Sequence, residues 1–360
     1  MSASNPIPPA RAWADIDLGA LVANARTVLS VSGSRLLPMV KANAYGIGAA
    51  EATRALEAVD PWGYGVVTAD EGAALRRAGI RRPVVVFGPL SPEGIDRCLR
   101  DELRPVIGDL GQLRQWLAAG DRPFHVEIDT GMRRLGFSWD DGAVIGEAGR
   151  LLDGATGWEG VFTHFHSADT DLDSTSAQWD RLQAVIVALP RRPALVHAAN
   201  SAAALRGRRF AGDLVRPGIF LYGGAAGSST PEVVVRCRAP VVAMRRIAPG
   251  DSVSYGATWR ANSPVHIATL AAGYADGVPR SLSGVGTVEI GGVLRPVVGR
   301  VTMDFTMVEV GDADVPIGAV ATIFGDAPTL DVQASAAGTI SYELLTRLGP
   351  RVVRRYGEGR

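Results

Sequence analysis

Lysine is nearly absent from this sequence of 360 residues, and Lys41 is its single representative. A mutational bias towards arginine explains the general depletion, but it does not explain why one lysine remains. Arginine replaces lysine easily on a surface, whereas it cannot form a Schiff base because its guanidinium effectively never deprotonates. Lys41 is therefore a candidate for covalent amine chemistry.

Cysteine is also scarce, and Cys98 and Cys237 lie far apart with no CxxC or Cys/His spacing. Neither a metal site nor a disulfide framework is expected. The 37 basic and 37 acidic residues cancel, so charge gives no support for binding nucleic acid or an anionic membrane surface. No apolar run approaches the ~20 residues of a membrane span, and residues 1–10 contain no apolar segment typical of a signal peptide. These absences predict a cytoplasmic enzyme with no metal, nucleic-acid or membrane partner.

Strand and helix patterns alternate through the first two-thirds of the chain. Apolar residues have helical spacing at residues 49–59, 69–78, 110–119 and 176–189. Short apolar runs predict eight strands, at residues 36–40, 64–68, 84–88, 103–107, 124–129, 160–164, 194–198 and 214–219. This alternation predicts an α/β fold with a (β/α)8 barrel of the TIM type. A doubly wound open sheet is the alternative, and the lack of GxGxxG after the first strand disfavours its dinucleotide-binding version.

The pattern changes after about Cys237. Glycine and proline turns separate strand-like segments at residues 241–245, 265–271, 286–290, 297–301, 306–310 and 319–324, and helical spacing returns only at residues 332–348. The sequence therefore predicts a barrel over residues 1–237, with its first residues joining the second domain, and a mostly antiparallel β domain over residues 238–360.

Polar residues follow several predicted strands at their carboxyl ends, where barrels of this type carry their active sites. They are Lys41 and Tyr45 after the first strand, residues 129–134 after the fifth, His164 and His166 at the sixth, Asn200 and Ser201 after the seventh, and Arg216, Gly218 and Ile219 after the eighth. The last two groups stand where such barrels commonly bind phosphate.

Each group also has an ordinary explanation. The histidines can be satisfied core residues, Arg216 a surface residue, and Asn200 a helix N-cap. Their convergence with a sole lysine at one end of the barrel favours a phosphorylated aldehyde cofactor, pyridoxal 5'-phosphate, bound through Lys41.

Motifs in both predicted domains resemble those of the alanine racemase family, whose members are fold type III pyridoxal-phosphate enzymes. In the barrel they are VKANAYG at 40–46, DTGMRRLG at 129–136, THF at 163–165, HAANSAAAL at 197–205 and VRPGIFLY at 215–222. In the β domain they are VSYGA at 253–257, GYADG at 273–277, VGRVTMD at 298–304, and Tyr342 with Glu343. The resemblance runs from about Trp13 to about Tyr356.

The resemblance implies interconversion of L-alanine and D-alanine, a step that supplies D-alanine for the cell wall, in a head-to-tail homodimer with shared active sites. Lys41 would bind the cofactor and act as a base on one face of the substrate, and the partner subunit's Tyr255 would act on the other. Arg216 corresponds to the arginine at the pyridine nitrogen, and His164 to the histidine between it and the tyrosine. Further cofactor contacts are implied for Tyr45, Asn200, Ser201, Gly218, Ile219 and Tyr342, and substrate contacts for Arg134, Tyr274, Met303 and Asp304.

Glu127 departs from the family pattern. Many members have a carbamylated lysine at this position, two residues before the DTG motif, and no lysine is available here. Strand alternation places His125, Glu127 and Asp129 on one face, towards the barrel interior. A buried carboxylate requires a cation, and Arg134 is the predicted partner, directly or through water or chloride. Pairing with Arg133 is the alternative.

Other functions remain open at this point. A serine or broad-specificity racemase on the same scaffold is the nearest. A non-catalytic pyridoxal-phosphate carrier would consist of the barrel alone, whereas a β domain and Tyr255 are predicted here. A cofactor-independent racemase would need two activated cysteines, and neither Cys98 nor Cys237 has an activating motif. A related decarboxylase would need a cysteine in the β domain near the cofactor, which the VGRVTMD segment lacks.

Overall fold

The alternation of strands and helices is present in the computed structural model, which describes residues 10–120 and 122–357. The prediction for residues 1–10 falls almost entirely outside these described residues. The first strand is β1 (Trp13–Asp17), and it leads directly into α1 (Leu18–Ser32). Asp17 begins the helix because its carboxylate accepts a hydrogen bond from the Ala20 N–H at 2.9 Å.

The barrel follows α1. Its strands are β2 (Arg35–Leu36), β3 (Tyr64–Val66), β4 (Val84–Val86), β5 (Arg104–Ile107), β6 (Phe124–Asp129), β7 (Phe137–Ser138), β8 (Trp158–Phe162), β9 (Leu195–His197) and β10 (Leu214–Val215). The helices that accompany them are α2 (Lys41–Tyr45), α3 (Ala49–Leu56), α4 (Ala69–Arg77), α5 (Pro92–Arg100), α6 (Leu110–Ala119), α7 (Gly142–Asp153), α8 (Leu172–Ala188) and α9 (Ser201–Ala204).

The parallel strands close into a barrel in the order β2-β10-β9-β8-β6-β5-β4-β3, and the short β7 pairs only with β6. The barrel closes where the segment that follows β2 meets β3. Met39 forms a parallel bridge with Gly65, and the Val40 N–H donates to the Gly65 carbonyl at 2.8 Å. The predicted (β/α)8 barrel is therefore confirmed, and the open doubly wound sheet is wrong.

The barrel interior is filled by side chains from its strands. A small buried cluster joins residues from or beside six different strands, which can meet only inside the barrel: Leu37, Val85, Val106, Phe162, Leu195 and Leu214. The larger core lies between the strands and the surrounding helices and continues into the second domain. No helix within the described ranges combines the length and apolarity needed to cross a membrane.

The second domain is a mostly antiparallel sheet. Its elements are β11 (Val235–Ile247), β12 (Ser252–Val253), β13 (Trp259–Arg260), β14 (Val265–Leu270), β15 (Thr287–Ile290), β16 (Val293–Pro296), β17 (Thr306–Gly311), β18 (Val320–Phe324), α10 (Leu330–Ala336), α11 (Ser341–Thr346) and β19 (Val353–Gly357). The sheet order is β16-β15-β18-β11-β1-β19, with β14 between β11 and β17. β1 pairs with β19 in parallel and with β11 antiparallel, so both ends of the described chain lie in this sheet.

The strand predicted at residues 297–301 is wrong. The strand in this region is β16, which ends at Pro296 and forms a hairpin with β15. Beyond it only Val297 forms an isolated bridge, with Val308. Gly299 has a φ of 64°, which interrupts an extended strand. A side chain there would also collide with the Val253 carbonyl oxygen, 2.5 Å from the position of a Cβ.

The second domain packs against the mouth of the barrel. Arg354 of β19 donates from Nε to the Gly46 carbonyl at 3.1 Å, and the Tyr356 hydroxyl donates to the Ile47 carbonyl at 2.8 Å. The backbone of Leu345 in α11 approaches Gly46 so closely that a Cβ at Gly46 would lie 2.3 Å from its oxygen. These contacts fix the segment that follows Lys41.

Candidate active site

A cavity of about 780 Å³ lies at the carboxyl ends of the barrel strands, and residues of α10 and α11 complete its wall. It contains ten of the predicted site residues: Lys41, Tyr45, Arg134, His164, Asn200, Ser201, Arg216, Gly218, Ile219 and Tyr342. The rule that barrel sites lie at strand carboxyl ends thus brings together residues that are spread over most of the sequence.

Lys41 begins a turn with an unusual backbone. The four residues after it, Ala42 to Tyr45, all have φ between 52° and 55°, in the left-handed region. Such a conformation costs roughly 1–2 kcal/mol for each residue that carries a Cβ. Contacts from outside the turn offset this cost: the Ala42 N–H donates to Glu71 Oε1 at 2.7 Å, and Asn43 Oδ1 accepts from the Ala49 N–H at 2.9 Å. The turn directs both Lys41 and Tyr45 to the cavity.

The surroundings of Lys41 favour a neutral amine. Burial lowers the pKa of its ammonium group, and the positive charge of Arg134 lowers it further; Glu71 opposes this shift, and Arg216 adds a smaller lowering. A neutral amine is the nucleophilic form, so the site activates the only lysine of the chain.

Arg216 is held by the barrel itself. Nη2 of its guanidinium donates to the carbonyl oxygens of Thr163 at 2.9 Å and Ala198 at 3.0 Å, and Nη1 lies 2.8 Å from His197 Nδ1. Burial lowers the pKa of Arg216 to about 10, so it stays cationic at neutral pH. His197 belongs to the HAANSAAAL motif, but its position in the sequence gave no indication of this role.

His164 lies beside Arg216, with Nδ1 at 3.4 Å from Nη2 of the guanidinium. Burial and the charge of Arg216 lower the pKa of His164 to about 3, which keeps the imidazole neutral. Because the guanidinium can only donate, Nδ1 is the acceptor and Nε2 carries the proton. His164 can therefore donate a hydrogen bond to an anion in the cavity.

Hydroxyl groups gather around the segment after β10, where Ser201 and Tyr45 lie beside Gly218 and Tyr342 lies beside Tyr45. Ser201 Oγ accepts hydrogen bonds from the Gly218 N–H at 2.9 Å and the Phe220 N–H at 3.4 Å, so its own proton is available to another acceptor. Burial raises the pKa values of Tyr45 and Tyr342, which keeps both phenols protonated as donors. There is no room for a side chain at Gly218, because a Cβ there would lie 2.2 Å from Tyr45 Oη. The side chain of Asn200 caps the N-terminus of α9, which is the structural role that the sequence offered as an alternative.

Four predicted residues do not line this cavity, although all four lie in the described part of the chain: Tyr255, Tyr274, Met303 and Asp304. They lie in the β domain, where Tyr255 is 72% exposed and Met303 53%. Asp304 is bound to Arg351 at 2.9 Å. One chain alone therefore does not bring these residues to Lys41.

Glu127 is buried, as predicted, but within the described ranges it forms no ion pair shorter than 4.0 Å with Arg134 or Arg133. Arg133 instead pairs with Asp140 at 2.9 Å. Burial raises the pKa of Glu127, and the charges of Arg216 and Arg134 partly oppose this. A small cavity of about 50 Å³ borders the side chain, which is enough space for a water molecule.

The second domain contributes residues that the strand-end rule could not identify. Asp331 and Ser335 of α10 and Thr339 and Ser341 near α11 line the cavity. Ser341 Oγ donates to Asp331 Oδ1, and Asp331 Oδ2 accepts from the Ala225 N–H at 3.0 Å. For these four residues the return of helical spacing at residues 332–348 was the signal that the pattern offered, beside the resemblance at Tyr342 and Glu343.

Comparison with known proteins agrees with this arrangement. Residues 16–226 match the family model described as "Alanine racemase, N-terminal domain", and residues 234–356 match "Alanine racemase, C-terminal domain". The chain is 40% identical over 354 residues to an alanine racemase of Acidiphilium cryptum (strain JF-5), which covers 94% of this chain and 97% of that protein.

Solved structures are similar over almost the whole chain. The alanine racemase from D-cycloserine producing Streptomyces lavendulae has a TM-score of 0.91 and 32% identity, and the match covers 98% of each chain. The alanine racemase from Bartonella henselae, solved with covalently bound pyridoxal phosphate, has a TM-score of 0.90 and 29% identity, and covers 97% of this chain and 100% of that one. The chain belongs to the alanine racemase family.

Proposed function

We propose that this enzyme interconverts L-alanine and D-alanine with pyridoxal 5'-phosphate bound through Lys41. The observation that carries the proposal is the meeting of the sole lysine, its pKa lowered, with the Arg216 guanidinium and a group of hydroxyl donors around one cavity. When bound, the cofactor supplies an electron-withdrawing ring system that stabilises negative charge on the substrate's α-carbon. The relatives are alanine racemases, which gives no support to the serine alternative.

The residues present fit the three polar ends of that cofactor. The amine of Lys41, its pKa lowered, suits the aldehyde, and the guanidinium of Arg216 suits the ring nitrogen. The hydroxyls of Ser201, Tyr45 and Tyr342, with the Ile219 backbone, suit a phosphate. Gly218 supports this last assignment because its lack of a side chain preserves the Tyr45 hydroxyl position. Arg216 does not surrender its proton, so beside the ring nitrogen it would limit electron withdrawal by the ring and with it side reactions such as transamination.

Inversion at the α-carbon requires two bases on opposite faces. Lys41 Nζ is the base that takes or returns the proton on one face. We assign the other face to Tyr255 of a second subunit, because Tyr255 is 72% exposed and outside this chain's cavity. Tyrosine is a weak base at its ordinary pKa of ~10 unless neighbours stabilise the phenolate. The Nε2–H of His164, fixed by Arg216 on its other side, is a donor suited to that task.

The proposal is tested with the purified protein by absorption spectroscopy and by a racemisation assay. A long-wavelength band that borohydride abolishes, together with conversion of either alanine enantiomer, is the expected result. Absence of the band from protein that has been supplied with pyridoxal phosphate would overturn the cofactor assignment. Racemisation of serine at the rate of alanine would overturn the substrate assignment. The cytoplasmic location stays a prediction.

The shared active site predicts subunit complementation. In a head-to-tail dimer, Lys41→Ala and Tyr255→Phe subunits are each inactive, but their heterodimer contains one site with both bases. An equal mixture that exchanges subunits freely is expected to recover about a quarter of the original activity, because half of the dimers are mixed and each has one intact site of two. The control is the double variant mixed with the original enzyme, whose mixed dimers have no intact site, so subunit exchange should lower the activity of this mixture by about half instead of raising it. No recovery despite subunit exchange, measured by mass-tagged subunits, would contradict the shared site.

Glu127 is proposed to hold the Arg134 guanidinium through a water molecule or an anion. Arg134 lines the cavity and lies close enough to lower the pKa of Glu127, although no direct ion pair exists. An oriented guanidinium suits a substrate carboxylate. Because no lysine is available for carbamylation, activity should not depend on dissolved carbon dioxide.

The Glu127→Gln variant is expected to keep its cofactor and to raise the KM for alanine by about tenfold, the effect of one charge-assisted contact. The thermal stability of the variant at neutral pH, in contrast, should be unchanged or higher. Since burial raises the folded pKa of Glu127, the carboxyl's stabilising contribution is present at low pH and is lost as pH rises through the folded pKa. Glutamine does not ionise, so the variant should melt no lower than the original protein at neutral pH. A lower melting temperature with unchanged kinetics would make Glu127 structural.

A further inference from the structure

A chain of polar side chains runs through the barrel interior beneath Arg216. His197 Nδ1 faces Arg216 Nη1 at 2.8 Å, and His197 Nε2 faces His125 Nδ1 at 2.8 Å. His125 Nε2 then faces Glu159 Oε2 at 3.3 Å, and the same oxygen accepts from Arg104 Nε at 2.7 Å. The four ring nitrogens of the two histidines thus all have partners.

The chain spans the barrel from one end to the other. Arg216 follows β10 at the carboxyl ends of the strands, whereas Arg104 is the first residue of β5 and Glu159 the second of β8, at the amino ends. Both histidines are fully buried. Glu159 and Arg104 are partly exposed, with side-chain exposures of 26% and 21%.

The barrel is shaped to admit this chain. Gly160 faces His125, and a Cβ at this position would lie 2.5 Å from His125 Nδ1. Phe162 stacks on His197 with ring centroids 4.8 Å apart and an interplanar angle of 7°. Trp62 packs on His125 at 5.7 Å. Buried polar groups carry a large cost unless they are fully hydrogen-bonded, and this chain satisfies that condition.

The two ends of the chain impose one direction on every hydrogen bond. Arg216 can only donate, which favours His197 Nδ1 as the acceptor and places the proton of the ring on His197 Nε2. His125 Nδ1 then accepts, and His125 Nε2–H donates to Glu159, whose ionised carboxylate can only accept. Burial lowers the pKa values of both histidines, in agreement with neutral rings.

The reversed pattern shows what Glu159 excludes. With the proton of each ring on Nδ1, His197 would present an N–H to the N–H of Arg216, and His125 would present a lone pair to the carboxylate. Both ends would be repulsive. Without the carboxylate, only the Arg216 end would still oppose reversal.

We propose that Glu159, at the opposite end of the barrel, is a positioning residue for Arg216 that acts through the tautomers of His125 and His197. The tautomer assignment stands on the geometry of the barrel alone, and its effect on catalysis rests on the proposed function. The chain thereby holds the guanidinium in one orientation in the cavity, where it would meet the ring nitrogen of the proposed cofactor.

The tautomers are measurable because the chain has only five histidines. In holoenzyme labelled with 15N-histidine, the ring-nitrogen shifts of His125 and His197 are expected to report neutral rings protonated on Nε2. Assignment comes from single His→Asn variants of the exposed or half-buried histidines. A proton on Nδ1 of His197 in the original protein would overturn the proposal, whether or not the enzyme racemises alanine.

The matched variants are Glu159→Leu, Glu159→Gln and Arg104→Met. Glu159→Leu should produce a mixture of tautomers and lower kcat by about tenfold, with a smaller change in KM. This is the scale of effect typical of residues that orient a metal-ligating histidine. Glu159→Gln keeps an acceptor oxygen and should restore both the ring signals and most of kcat. Arg104→Met removes the ion pair but leaves the carboxylate, so it should resemble the original enzyme. Unchanged ring signals and kcat in Glu159→Leu, or equal losses in all three variants, would overturn the proposal.

Discussion

Lys41→Arg is expected to abolish borohydride-reducible attachment of the cofactor and to lower racemisation by at least about 10⁴-fold, since it removes the anchor and one of the two bases together. Arginine has a side chain of similar length, but it does not deprotonate or form a Schiff base. The neutral amine that burial and the charge of Arg134 favour at this position would be lost. No second lysine exists to replace it.

The measurement is borohydride trapping followed by peptide mapping, with the racemisation rate of the same samples. Melting temperature provides the control for folding, because it reports the folded state independently of racemisation. Lys41→Ala, supplied with a small primary amine, adds a second comparison, since partial rescue is expected only when the missing group is an amine. A reduced adduct that persists in Lys41→Arg, on any residue of the barrel, would contradict the assignment of Lys41 as anchor.

Much of the fold follows from patterns that act locally. The eight barrel strands were predicted because fully buried parallel strands produce short apolar runs, as in β4 with its sequence VVV. Once those strands were placed, the strand-end rule brought Lys41, His164 and Arg216 to one cavity. The fold alone does not specify a function, and the choice of chemistry depended on a single lysine and on the resemblance.

Other features depend on distant contacts and could not be predicted in this way. The left-handed turn after Lys41 is supported by Glu71 from α4 and by β19 and α11 of the other domain. Of its residues only Asn43 has a known tolerance for that conformation. The prediction of a strand at residues 297–301 was wrong. Its valines are typical of an extended strand, but the positive φ of Gly299 interrupts the segment. In the series of hydrogen-bonded side chains from Arg216 to Glu159, two direct partners lie up to 72 residues apart in the sequence.

Tyr255→Phe is expected to lower racemisation by about 10²–10⁴-fold while leaving the cofactor bound to Lys41, because the hydroxyl removed is a general acid–base and not an anchor. The loss must be the same in both directions. Enantiomers have equal free energies, so the equilibrium constant between them is one, and a catalyst that slows L to D must equally slow D to L. Racemisation rates alone therefore do not reveal which base serves which face.

Exchange of the α-proton with deuterium separates the two bases, because it requires only one of them. With Lys41 intact, the Tyr255→Phe enzyme should still exchange the proton of D-alanine in heavy water and should lose exchange of L-alanine far more severely. Tyr274→Phe, at another exposed tyrosine of the β domain with a predicted role in substrate binding, is the matched control and should change both exchange rates alike. Lys41 variants cannot serve here, since they lose the covalent attachment of the cofactor together with one of the bases. Equal loss of exchange from both enantiomers in Tyr255→Phe, with the cofactor band intact, would mean that the phenol positions the substrate and that a single base serves both faces.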